Sequence, residues 1–78
     1  MPTSLRIGPY RFYFYANDRE EPPHVHVQRE RHTAKFWIDP VRIERSGRFR
    51  PNELLEIQRI IKNNKIKLLK TWHEYFDA

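Results

Sequence analysis

The chain has 78 residues and a formal net charge of +5, with 38% hydrophobic, 14% aromatic and 32% charged residues and no cysteine. Such a chain makes one domain that buries about 60% of its surface on folding, too little for a large enclosed substrate pocket. The missing cysteine excludes a disulfide framework, a thiolate zinc site and a cysteine nucleophile; without a signal-like start or an apolar membrane span, the expectation is a cytoplasmic protein with no membrane role.

Leu5 to Ile7 reads as a short strand, followed by a bend at Gly8-Pro9. In Tyr10 to Ala16, "YRFYFYA", rings fill nearly every position, which predicts a strand packed on both faces. The following "ANDREEPP" has loop composition, because each proline lacks an amide donor and restricts the residue before it. The chain returns as "HVHVQRE" and "HTAKFWID", with Glu30-Arg31 as a two-residue hairpin turn, and "VRIER" after Asp39-Pro40 is a further short strand.

From Pro51 the spacing becomes helical. Leu54, Ile57, Ile61, Leu68, Trp72 and Tyr75 share one face, which predicts one amphipathic helix about 39 Å long at about 1.5 Å per residue. Its last turns extend beyond a small sheet and are expected to meet a partner. Asn63-Asn64 is the weakest point of the stripe. The predicted architecture is α+β: a small antiparallel sheet of three to four strands with one long C-terminal amphipathic helix packed on one face. It is a single domain over 1–78, β-rich in 1–47 and helical in 51–76.

Strand residues two apart point the same way, so His24 and His26 share a face while Val25 and Val27 turn to the core. The hairpin register sets Val27 opposite Ala34, Val25 opposite Phe36, His26 opposite Lys35 and His24 opposite Trp37. One open face is then expected to carry Arg11, Tyr13, Tyr15, His24, His26, Lys35 and Trp37. Cations that pair phosphates, rings that stack bases and groups titrating near neutrality are what single-stranded RNA recognition uses.

On a metal-independent ribonuclease reading, His24 or His26 is the base, the other histidine or Tyr13 the acid, and Lys35 or Arg11 the phosphate clamp. Arg11, Tyr15, Trp37 and Arg42 are the binding residues for nucleic acid or a partner. The bland alternatives stay open: a solvated histidine pair, a ring cluster buried by another protein, and an arginine run (Arg42, Arg45, Arg48, Arg50) that only protects a sheet edge. No cofactor is expected. A metal is not favoured; if there is one, His24 and His26 hold it, with Asp18, Glu20 or Glu21 from the loop completing the site or orienting a histidine.

Several stretches together resemble a known family. The start "MPTSLRIGPYRFYFYAND", the "EPPHVHV" segment with Pro22, Pro23, His24 and His26, "AKFWIDPV", and "P-x-E-L-x-E-I-x-R-I-I-x-x-N" leading to "LLKTWHEYF" resemble the prokaryotic domain of unknown function 4160 family. The resemblance implies a component of a toxin–antitoxin-type gene pair, with a cognate small protein from the same pair as partner. Taken with the histidine, aromatic and basic face, the expectation is the toxin, acting on or binding RNA; the alternative is a non-catalytic protein-binding module, an antitoxin or regulatory subunit that uses the same face as its interface, and a homodimer is a further option. The resemblance assigns no catalytic residue. Two departures stand out: Arg29-Glu30-Arg31-His32 replaces the usual glycine-containing turn, and Arg50 stands where a capping serine is common.

Overall fold

The computed structural model describes residues 4–77, the side chains from residue 5 onward; the ends of the expected 1–78 domain, residues 1–3 and 78, lie outside that range. Five strands form one antiparallel meander in sequence order: β1 (Ser4–Ile7), β2 (Tyr10–Tyr13), β3 (His24–Arg29), β4 (His32–Ile38) and β5 (Val41–Arg45). A 3-10 turn, Ala16–Glu20, interrupts between β2 and β3. Two helices follow, α1 (Pro51–Asn63) and α2 (Lys65–Phe76).

The α+β class holds, and the sheet has five strands rather than three or four. Both marginal segments pair: β1 runs along β2 from Ser4↔Tyr13 to Ile7↔Tyr10, and β5 joins β4. The hairpin register is as predicted, from His24↔Trp37 to Arg29↔His32, and it survives the absence of glycine because Glu30 itself takes a positive φ of 56°.

Strand β2 stops at Tyr13, three residues earlier than predicted. Phe14 leaves the ladder to pack edge-on against Trp72, with ring centroids 5.3 Å apart.

The single long helix is also corrected. At Asn64 the backbone departs from helical values (φ −115°, ψ 18°), and the side-chain Nδ2 donates to the Ile60 carbonyl at 2.8 Å. Asparagine side chains compete for backbone partners in this way, and two in succession end a helix where apolar residues would continue it. The apolar stripe passes through the break, so Ile57, Ile61, Leu68 and Trp72 are all buried. The last turn of α2 does not project: Phe76 packs on Trp72 and Phe14 of the same chain. At the start of α1, Arg50 supplies no side-chain cap, but Glu53 reaches back to accept from the Arg50 amide at 3.2 Å, one half of a capping box.

The core lies between the helices and one face of the sheet. Phe12, Val25, Val27, Ala34, Phe36 and Ile38 meet Ile57 and Ile61 there. Burying each large side chain stabilises by about 1.5–3 kcal/mol, so these alternating positions set which face the helices cover.

Candidate functional site

The opposite face of the sheet carries the polar set in rows across the strands. Arg6, Arg11, Gln28 and Thr33 form one row; Tyr13, His26, Lys35 and Arg45 the next; His24, Trp37 and Arg42 the third. The second row depends on a register shift between Lys35 and Phe36, which puts Phe36 opposite Ile43 but Lys35 opposite Arg45. Without that extra residue, Glu44 would face Lys35. The bulge therefore pairs Lys35 with a base rather than an acid.

The face is open only in part. His24 is 0% exposed, His26 8% and Tyr13 6%, whereas the sequence placed all three on an open surface. The register was correct, but the covering segment is not a strand and leaves no periodic signal: the 3-10 turn folds back over β3 and sets Asp18 against both imidazoles. Asp18 Oδ1 is 3.2 Å from His24 Nε2, and Asp18 Oδ2 accepts from His26 Nε2 at 3.0 Å. The carboxylate is anchored on its own turn, because Oδ2 also accepts the Tyr15 amide at 2.7 Å while the Asp18 amide donates to the Tyr15 carbonyl at 3.0 Å.

Of the three loop acids the sequence offered, the structure brings Asp18 to both histidines. Glu21 lies 3.6 Å from His24 Nδ1 and accepts from Lys35 Nζ at 2.6 Å, a charged hydrogen bond that holds the Glu21 carboxyl below its usual range.

His24 Nδ1 lies 3.0 Å from the Pro22 carbonyl, which can only accept, so that nitrogen carries the proton. The ring meets Trp72 of α2 at 5.2 Å and Trp37 at 5.6 Å. His26 stacks on Tyr13, with centroids 5.3 Å apart and planes 25° from parallel, and has Tyr15 at 4.8 Å. Burial holds the His26 imidazole below its ordinary value despite the Asp18 carboxylate beside it, and the Lys35 charge pushes the same way. Burial, reinforced by the Tyr15 hydroxyl, pushes Tyr13 up to about 12.

Around this buried group lies a rim in which Arg11, Lys35 and Trp37 are half-buried. Tyr15 is 47% exposed. Arg11 sits 4.3 Å above the Tyr13 ring and donates to Gln28 Oε1, and Lys35 Nζ lies 5.1 Å from the Trp37 ring. Trp37 and Arg42, with Pro22, Pro23, Asp39 and Pro40, line an open depression of about 340 Å³.

Arg11, Tyr13, Tyr15, His24, His26, Lys35, Trp37 and Arg42 thus fall on one face or its margin, whereas Arg50 of the arginine run lies at the start of α1. Arg6 joins them without having been singled out, and Arg45, read from the sequence only as part of an arginine run, is set opposite Lys35 by the strand pairing and the bulge. The other histidines stay away: His32 packs on Phe49 at the far end of the sheet, and His73 pairs with Asp77 at the end of α2.

No curated protein and no solved structure matches the chain. A family model does, over residues 10–73, a span that takes in β2, the 3-10 turn with Asp18, both histidines and Trp72. By that match the chain belongs to the family described as Domain of unknown function (DUF4160).

Proposed function

We propose that the protein binds single-stranded RNA on the open face of its sheet, as the toxin member of a toxin–antitoxin-type pair. The observation that supports the RNA reading best is the bulge that sets Arg45 opposite Lys35. With it, Arg6, Arg11, Lys35, Arg42 and Arg45 fall in the rows that share one face with Trp37. A cationic, ring-bearing sheet surface neutralises phosphates and stacks bases with little sequence readout. The depression beside Trp37 and Arg42 has a flat ring and a guanidinium at its edge, which suits a stacked base.

Binding is favoured over metal-independent cleavage. His24 Nδ1 is committed to Pro22, both Nε2 atoms point at Asp18, and a phenol pushed up to about 12 is a weak acid for a leaving oxygen. Membership of such a pair and the cognate partner rest on the sequence resemblance alone, and the toxin role is our choice between the pair's two members.

The test is fluorescence anisotropy with a labelled single-stranded RNA of about 12 nucleotides over a range of KCl concentrations, with the RNA run on a gel afterwards. Salt-dependent binding, weakened by Trp37→Ala and by Arg42→Ala with the RNA intact, is the expected result. An absence of salt-dependent binding would overturn the reading and leave the face to a protein partner. For the toxin role, growth arrest on induced expression is expected, and normal growth at verified expression counts against it.

A further inference from the structure

His24 Nε2 and Asp18 Oδ1 face one another inside the fold as two electron-rich atoms. Nδ1 of His24 is the donor to Pro22, so in the neutral ring Nε2 carries the lone pair. It lies 3.2 Å from Asp18 Oδ1, on a side chain that is 0% exposed, yet it has no hydrogen-bond partner. Two lone pairs held this close in a dry site repel each other, and burial magnifies the cost. A cation between them turns the repulsion into coordination.

The third atom is in place. His26 Nε2 lies 3.0 Å from the other Asp18 oxygen, and the ligand atoms of the three residues lie within 4.8 Å of one another. Two ligands each about 2.0 Å from a tetrahedral centre are about 3.3 Å apart, close to both observed contacts.

We propose that Asp18, His24 and His26 form a binding site for a divalent first-row transition metal of the zinc class. Two imidazole nitrogens and one carboxylate suit such an ion, whereas magnesium and calcium take oxygen ligands. The surroundings have the form of a metal site. The distal nitrogen of His24 donates to a backbone carbonyl, which fixes ring orientation and tautomer, and that carbonyl belongs to a Pro-Pro pair with restricted dihedrals. The ion would fasten the 3-10 turn to β3 and displace the proton that His26 Nε2 shares with Asp18, leaving a fourth position for water or an anion. This site does not depend on RNA binding, and its test uses none.

Untagged protein, stripped of metal by chelator dialysis, is titrated with Zn²⁺ by calorimetry, and its thermal unfolding is followed with Zn²⁺ and with Mg²⁺. One Zn²⁺ per chain and a Tm raised by Zn²⁺ but not by Mg²⁺ are expected. Asp18→Asn, which preserves size, and His26→Gln should each weaken Zn²⁺ binding at least ~10-fold while retaining the wild-type circular dichroism spectrum. His73→Gln, at the far end of α2, should leave it unchanged. Absence of Zn²⁺ binding, or binding that survives Asp18→Asn and disappears in His73→Gln, overturns the proposal. In the first case, nitrogen NMR showing protons on both ring nitrogens of His24 would identify an imidazolium–carboxylate pair in the metal's place.

Discussion

Arg45, and not Glu44, stands opposite Lys35. One extra residue in β5 thus decides which charge stands opposite Lys35 at this edge of the open face. If that face holds RNA, the two neighbours must behave differently although each changes net charge by one. Arg45→Ala is expected to lower affinity and to reduce the slope of log K against log[salt] by about 0.7, the contribution of one phosphate on a single strand. Glu44→Ala should leave the slope unchanged. Anisotropy titrations at several KCl concentrations check both.

Glu30 occupies the first central position of the β3–β4 hairpin with φ 56°, a conformation that suits glycine in tight hairpin turns. A left-handed backbone costs a side-chain-bearing residue roughly 1–2 kcal/mol. Glu30→Gly should therefore stabilise the fold by about 1 kcal/mol, after the extra entropy glycine loses on folding is subtracted. A higher urea midpoint with an unchanged m-value is the expected readout.

Two glycines with nearly equal dihedrals predict unequal costs. Gly8 (φ 58°) has nothing within 4 Å of an added Cβ, whereas at Gly47 (φ 61°) a Cβ would fall 1.9 Å from the Thr33 carbonyl oxygen. Gly8→Ala should cost only the backbone strain, about 1 kcal/mol, while Gly47→Ala must also displace β4 and should cost roughly 3 kcal/mol or more. Thermal unfolding of the two variants side by side tests the difference.

Tyr10 is buried, and its hydroxyl donates to Glu56 Oε1 at 2.7 Å, tying β2 to α1. Burial, reinforced by that carboxylate, pushes its pKa from 10.0 to about 12. The folded state holds the proton more tightly than the unfolded chain, so the contribution is complete below pH 10 and is lost as pH rises from 10 towards about 12. Tyr10→Phe should lower stability at neutral pH by about 1 kcal/mol for the lost hydrogen bond and flatten the decline above pH 10. Denaturant melts at pH 7 and across the alkaline range measure both effects.

The placement of the site was readable where alternation governed it. Val25 and Val27 against His24 and His26 set the sheet's two faces, and the Glu30-Arg31 turn set the β3–β4 register, because one slipped residue would turn the valines to solvent. Asp18 was readable only as one of three loop acids. Nothing periodic distinguishes it from Glu20 or Glu21; its role comes from a 3-10 turn whose fold-back depends on contacts eight residues away.

By itself, then, the sequence determined the order of elements, the core face and the shared side of the two histidines, since periods of 2 and 3.6 residues and short hairpins are local properties of the chain. Only the tertiary structure decided that the histidines are buried, that Asp18 joins them and that Arg45 stands opposite Lys35. Each of these depends on which distant backbone a segment meets, and local periodicity carries no record of that.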